Sequence, residues 1–209
     1  MKGTSAEESG IRCIPYLVSI TLSSIVVGGL ITWLGYYNPP MWVGICVFTV
    51  GAGLLYTLGV HSSAGMWIGY QILAGAGAGA CVQIPFIAVQ VVLPEKDMPI
   101  GNAVAIFFNT LGGAISVSIA QNIFSNTLVQ QLPKLAPDVD VRAVVAAGAT
   151  HIRQVVRPEQ LNGVLWSYNK AVTTAFVLPI AVGGIALLSS LLMEWKSVKG
   201  KKLQMGGAA

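Results

Sequence analysis

The absence of charged side chains over long stretches constrains this chain most strongly. No aspartate, glutamate, lysine or arginine occurs between Arg12 and Glu95, and residues 98–133 and 171–193 form two further stretches of this kind. A soluble domain carries about a quarter charged residues, whereas only 10% of this chain is charged and 54% is hydrophobic. Because a core of ordinary size cannot absorb that many apolar side chains, the sequence predicts an integral membrane protein.

The number of membrane spans follows from the turn signals inside these stretches. A spanning helix needs about 20 apolar residues, so the first stretch must fold back on itself. Turns are indicated at 35–40, where Asn38 precedes two prolines, and at 61–65 and 94–97. An open sheet would leave backbone groups unsatisfied in lipid, so the predicted fold class is an all-α membrane protein. Its five predicted transmembrane helices are 14–34, 41–60, 66–93, 99–128 and 170–193.

The segments outside these spans are polar. Residues 1–13 form a polar N-terminal segment, 129–169 a long loop, and 194–209 a tail rich in lysine. Short basic segments stay in the cytoplasm, so we expect a cytoplasmic tail and an extracytoplasmic loop. The loop contains apolar residues at helical spacing, which favours an amphipathic helix at the membrane surface, with a solvated loop as the alternative. These residues are Val141, Val144, Val145, Ile152, Val155 and Val156.

Glycine and alanine alternate through 74–80, which formally fits the G-x-G-x-x-G/A pattern of nucleotide-binding proteins. That pattern requires a preceding strand in a soluble βαβ unit, and here it lies inside an apolar span. Close helix packing explains it better, because Gly75 and Gly79 form a small-xxx-small pair. Gly112 and Gly113 suggest the same role in the fourth span. Helices that slide and helices that are packed statically would both use such residues.

Amide and hydroxyl side chains inside the spans are the strongest functional signal. Gln83 and Gln90 are seven residues apart and share a helix face, and Pro85 between them predicts a kink. Such groups are costly in hydrocarbon unless they face water or a polar partner. They indicate either a polar path for a solute or interhelical hydrogen bonds that only hold the helices together. The candidate path residues are Gln83, Gln90, Asn102, Asn109, Ser116 and Gln121.

No pattern typical of an enzyme is present in the sequence. The cysteines have no metal-ligand spacing, and His61 and His151 lack a nearby nucleophile or metal partner. We therefore expect no catalytic residues, no metal, no cofactor and no nucleic-acid partner. The predicted spans also contain no aspartate or glutamate, so they supply no buried acid for proton coupling.

Several segments resemble the fungal drug:proton antiporters with fourteen spans, a group within the major facilitator superfamily that includes toxin efflux pumps. The resemblance covers nearly the whole chain. The segments that carry it are SGIRCIP at 9–15, GYQIL at 69–73, QIP at 83–85, AVQ at 88–90, PIGNA at 99–103, FFNTLGGA at 107–114, SIAQN at 118–122 and MEWKSVK at 193–199.

This resemblance implies a C-terminal part of such a carrier, with five helices of an incomplete C-terminal half. It also implies export of a small organic toxin or secondary metabolite across the cell membrane. The expected partners are membrane lipid, the solute and the missing half of the transporter, because alternating access needs two halves that rock against each other. The alternative is a truncated, transport-inactive fragment, or an accessory half that needs a partner chain.

Overall fold

The computed structural model of the chain describes residues 6–137, 139–141, 144–145, 148, 152 and 156–199. Within these residues the regular elements are helical, apart from an isolated β-bridge between Tyr36 and Ser197. The α-helices are α1 (Ala6–Leu34), α2 (Asn38–Tyr56), α3 (Ala64–Val82), α4 (Ile84–Val92), α5 (Met98–Leu135), α6 (Leu161–Ala175) and α7 (Val177–Ser190), with a 3-10 turn at Glu95–Asp97.

Five stretches of this helical structure are long and apolar enough to cross a membrane, by length and composition. This confirms the predicted all-α fold class and the predicted number of spans. The structure joins α3 to α4 and α6 to α7 within single spans. The five stretches are Glu8–Leu34, Asn38–Tyr56, Ala64–Val92, Glu95–Leu135 and Leu161–Ser190.

Several helices extend beyond the bounds expected from charge. Helix α1 already begins at Ala6, where Arg12 and Glu8 form an ion pair of 2.7 Å one helical turn apart. Helix α6 begins at Leu161, so Lys170 lies inside a helix and not at its start. Its ammonium group lies over the ring of Tyr56, 5.5 Å from the ring centre. A long lysine side chain can reach outward while its backbone stays helical, and a charge therefore does not mark a helix end.

The loop expected at 129–169 is partly helical and partly packed. Helix α5 continues to Leu135, and helical structure recurs at Val144 and Ile152. Val144, Ile152 and Val156 are buried in one cluster with residues of α5 and α6, so these apolar side chains pack on protein and not on the membrane surface. Val155 and three other predicted loop residues, Arg142, His151 and Arg153, lie outside the described residues.

Consecutive spans cross in alternate directions and therefore define two faces of the bundle. The first face holds the turn between α1 and α2, the Glu95–Asp97 turn and the chain that follows Ser190. The second face holds the turn between α2 and α3 and the segment between α5 and α6. Each face has its own buried cluster.

Helix α3 lies between α1 and α2, and α7 packs on the outer side of α2. Helix α5 is placed differently, because it pairs with α6 near the second face and touches α4 near the first. None of the residues in the most apolar window of α5 is buried within the described chain. The long middle of α5 is therefore bare, meaning that no other described part of the chain covers it.

Candidate functional site

The third span is broken at Gln83. Helix α3 ends at Val82 and α4 begins at Ile84, with Pro85 at the second position of α4. Proline has no N–H group and cannot donate to the carbonyl four residues earlier, which here belongs to Cys81. The N–H of Gln83 is directed to that carbonyl instead. This confirms the interruption predicted from Pro85 and places an amide residue at the break.

Two candidate path residues lie on α4 or at its start. The side chain of Gln83 is exposed, and that of Gln90 is partly buried. Seven residues turn a helix by about 700°, so the two positions are offset by only about 20° around the axis. The broken span therefore presents two amides on one side. One lies at the break, and the other lies about two helical turns further along α4.

Helix α5 begins directly beside α4. A Cβ atom added at Gly101 would lie 2.5 Å from Leu93 Cδ1 and 2.7 Å from Val89 Cγ1. The next residue, Asn102, has a buried Oδ1 atom without a hydrogen-bond partner among the described residues. Since a buried amide oxygen without a partner is costly, this position favours an additional donor from a solute, from water or from another part of a longer protein.

Asn109 and Ser116 continue the line that starts at Asn102. Each step is seven residues, so the three positions lie within about 40° around α5. Asn109 is exposed and Ser116 is partly buried. They run along the bare middle of the helix, where hydrocarbon would be an unfavourable neighbour for an amide.

Gln121 does not lie on this line. Twelve residues separate it from Asn109, which corresponds to a rotation of about 120° around the helix. Near it, Asn126 donates to Asn122 Oδ1 at 3.1 Å, and the Ser118 hydroxyl donates to the Ala114 carbonyl at 2.9 Å. This second polar side of α5 therefore satisfies part of its hydrogen bonding along its own helix.

The structure thus brings the candidate residues together in part. Gln90 and Asn102 lie on the two helices that are joined by the Glu95–Asp97 turn, and Gln83 lies at the other end of α4. Asn109 and Ser116 follow Asn102 along α5, while Gln121 lies on another side of that helix. A groove on the outside of α5 contains none of these six residues. It is lined by Pro99, Ile100, Ala103, Val104, Phe107 and Phe108.

The four glycines expected to pack helices have different surroundings. A Cβ atom at Gly75 would lie 2.7 Å from the Tyr16 carbonyl oxygen, and one at Gly79 would collide with the Ile20 carbonyl. Both therefore let α1 approach the backbone of α3. At Gly112 and Gly113 a Cβ atom would meet nothing within 4 Å, so neither glycine contacts another helix within the described chain.

Sequence reasoning missed a polar group at the start of α2. Asn38 is fully buried, and both atoms of its amide lack a hydrogen-bond partner in the described part of the chain. In the sequence this residue precedes Pro39 and Pro40, a pattern that indicates only a turn. The chain after α7, which packs beside Tyr37, was missed as well.

The described residues contain no group of three or more His, Cys, Asp or Glu side chains that could hold a metal ion. The ring of His61 packs edge-on against Trp166, with 6.4 Å between ring centres. The three cysteines are free thiols. We therefore find no grouping in this part of the chain that suggests metal chemistry.

No protein-family model matches the chain, but it is similar to fungal transporters along its whole length. It is 42% identical over 208 residues to an MFS-type efflux pump of Arthroderma benhamiae, covering 100% of this chain and 39% of the relative. It is 45% identical over 199 residues to the efflux pump roqT of Penicillium rubens, covering 95% and 37%. It is 43% identical over 203 residues to the MFS-type transporter astH of Aspergillus oryzae, covering 97% and 36%.

These similarities and the fold define the class of the molecule. The chain is a multi-pass membrane protein whose five helical spans match part of a transporter of the major facilitator superfamily. It spans about two fifths of the length of the curated relatives named here. These relatives are transporters, in agreement with the expectation that the chain is not an enzyme.

Proposed function

We propose that the chain is part of a major facilitator superfamily efflux pump that exports a small organic toxin or secondary metabolite from the cell. The observation that carries this proposal is the broken third span, which presents Gln83 inside an otherwise apolar helix. In transporters, discontinuous helices supply polar groups at the depth of the membrane where a solute binds. The similarity to fungal efflux pumps over the full chain supports the same conclusion.

In this proposal the solute path runs along α4 and the adjoining side of α5. Gln83, Gln90, Asn102, Asn109 and Ser116 contribute amide or hydroxyl groups to it, and Gln121 is the outlying member. The path residues carry no charge, which suits a neutral or amphiphilic compound. A drug:proton antiporter with fourteen spans is the type of pump we propose, with its proton-coupling group outside this chain.

The proposal is tested in a chimera in which this chain replaces the matching region of the Penicillium rubens efflux pump. Efflux of a panel of neutral organic compounds is measured from intact fungal cells. We expect Gln83→Ala and Asn109→Ala to change the export rate or the range of compounds. The matched control is Asn122→Ala, which removes an amide of α5 that is not among the path residues and should leave export unchanged. Unchanged export by both test variants would overturn the assignment of the path.

The orientation of the chain belongs to this proposal. We place the first face in the cytoplasm, because Lys96, Lys196 and Lys199 lie there within short segments next to spans. With the three native cysteines replaced by alanine, a cysteine introduced by Lys96→Cys would then react with a membrane-impermeant maleimide only when the cytoplasmic side is opened. Labelling of intact cells from outside would contradict this orientation.

A second candidate is an accessory membrane protein that is inactive alone and pairs with another chain. The bare middle of α5 favours it, because exposed amides there need a partner. The two candidates differ when the chain is expressed alone or together with the remaining part of a relative. Co-purification and export only with the second piece would support an accessory half, and a continuous upstream reading frame that encodes more spans would support a single long pump.

A further inference from the structure

Residues 194–199, which we call the strap, lie across the turn between α1 and α2. The N–H of Val198 donates to the Gly35 carbonyl at 2.8 Å, and the Ser197 hydroxyl donates to the same oxygen at 3.1 Å. The Tyr37 hydroxyl donates in the other direction, to the carbonyl of Glu194. The strap is therefore bound through its backbone at both ends, by residues more than 150 positions away in the sequence.

The turn is shaped to receive the strap. Gly35 has a φ of 79°, a conformation that residues with a Cβ atom rarely adopt. A Cβ atom there would also lie 2.7 Å from the Cγ and Cε atoms of Lys199. On the outer side, the ring of Trp195 packs against Tyr36 and Trp42, with centre distances of 5.9 and 5.3 Å.

The side chain of Val198 is buried in the apolar cluster of the first face. Only 4% of this residue is exposed, although the residues on either side of it are exposed. Val198 belongs to the buried cluster of the first face, together with Ile84, Ile87 and Val91 of α4. One valine of the strap thus belongs to the same buried cluster as three residues of α4.

Helix α4 is joined to α3 at a break in the helix. It has nine residues and is separated from α3 by the break at Gln83. Pro85 prevents the backbone hydrogen bond that would stiffen this joint. The position of α4 therefore depends on side-chain contacts at the first face more than on continuity with α3.

We infer that the strap restrains α4, and that its release lets α4 pivot at the break and opens the first face of the bundle. Tyr37 fixes one end of the strap by its hydrogen bond, and Val198 joins the strap to the buried cluster that includes α4. The restraint itself follows from the packing at the first face. Only its consequence, that opening exposes the solute path beside Gln83, rests on the proposed function.

The restraint can be measured by the accessibility of α4 without any transport assay. The three native cysteines are replaced by alanine, and Val91→Cys places a thiol on α4 where 2% of the native side chain is exposed. The rate of labelling by N-ethylmaleimide is then measured in membranes that contain the full chain. We expect slow labelling with an intact strap and at least a tenfold faster rate after Tyr37→Phe or Val198→Ser.

Two controls identify the cause of faster labelling. Leu192→Ala changes a residue that is 88% exposed and adjacent to the strap, and it should leave the rate unchanged. Leu132→Cys reports on the buried cluster of the second face and should stay protected in every variant. Tyr37→Phe removes only one oxygen atom, so it serves as the test if Val198→Ser does not fold.

Equal labelling of the Val91→Cys thiol with intact and altered straps would overturn the inference. Faster labelling of the Leu132→Cys thiol in the same variants would overturn it as well, because the strap would then stabilise the whole bundle and not α4 in particular. Export by the chimera does not enter either measurement. A failure of the proposed function and a failure of the restraint are therefore distinguishable.

Discussion

The third and fourth spans both contain pairs of glycine residues, but the surroundings of these glycines are very different. In α3, Gly75 and Gly79 face the backbone of α1 so closely that a Cβ atom would collide. In α5, Gly112 and Gly113 face open space, and the most apolar window of the helix has no buried residue among those described. Small residues permit a close approach of helices, but whether a helix arrives depends on the rest of the fold. The comparison agrees with the proposal that helices of a longer transporter cover α5.

The largest effect that tests this comparison is expected from overpacking. Gly79→Leu forces α1 away from α3 and should lower the free energy of unfolding by ~1–3 kcal/mol. Gly112→Leu in the same chain should change it by less than ~0.5 kcal/mol, as at other exposed positions. Thermal unfolding in detergent measures both. Equal destabilisation by the two variants would show that α5 is packed in the isolated chain.

The same two variants give a sharper test of this comparison in the chimera with a longer relative. If helices from the remaining part cover α5, Gly112→Leu should reduce stability or export there while it stays neutral in the short chain. A neutral Gly112→Leu in the chimera would mean that this side of α5 faces lipid in the assembled pump.

The second-largest loss of stability is expected from a substitution in the turn at Gly35. Gly35→Ala must adopt a left-handed conformation, which costs about 1–2 kcal/mol for a residue with a Cβ atom, and it also meets the Lys199 side chain. Gly53→Ala in α2 is the matched control, since a Cβ atom there meets nothing within 4 Å. A loss of stability for both, or for neither, in thermal unfolding would contradict the tight fit between this turn and the strap.

A smaller effect is expected from the hydroxyl groups that join α1 to α3. Ser19 donates to the Ile72 carbonyl at 2.7 Å, and Ser23 donates to the Ala76 carbonyl at 2.6 Å. Hydrogen bonds between membrane helices contribute about 0.6 kcal/mol on average, so Ser19→Ala and Ser23→Ala should each destabilise by about that amount. Ser118→Ala in α5 removes a bond within one helix and should destabilise the protein less. A larger loss of stability for Ser118→Ala than for Ser19→Ala and Ser23→Ala would contradict this prediction.

The smallest effect concerns pH, and it is absent at neutrality. Burial raises the pKa of Tyr37 above its usual value of 10.0, the nearby Glu194 raises it further, and Lys196 lowers it. A tyrosine with a raised pKa contributes its full stability below pH 10 and loses it as the pH rises through the raised value. The rate of labelling of the Val91→Cys thiol should therefore rise only above pH 10. At each pH it is compared with the rate for the same thiol in the Tyr37→Phe variant, which lacks the titrating hydroxyl group. Identical pH profiles for both proteins would contradict this.

Much of the fold was accessible from the sequence because membrane insertion is decided segment by segment. The charge-free stretches and the turn residues predicted five helical spans, and Pro85 predicted the break near Gln83. The helix bounds were less accessible, since Lys170 was taken to begin a span and the structure places it inside α6. A lysine side chain can extend away from its helix, so its charge does not locate the backbone.

The candidate site was accessible only in part, for a geometric reason. Seven-residue spacing in a helix predicts that Gln83 shares a side with Gln90, and Asn102 with Asn109. Spacing along one helix does not show which side meets a neighbour, and Gln121 was grouped with residues that lie about 120° away around α5. The buried Asn38 gave no signal, because an asparagine before two prolines indicates only a turn.

The sequence by itself determined that this protein enters a membrane, that its spans are helical and that they number five. These properties depend on local composition, since each apolar segment must satisfy its own backbone hydrogen bonds in lipid. The tertiary structure alone decided that Gly75 and Gly79 of α3 are packed while Gly112 and Gly113 of α5 are bare, and that the strap closes over Gly35. Such pairings are contacts between residues far apart in the sequence, and their geometry is set only when the helices come together.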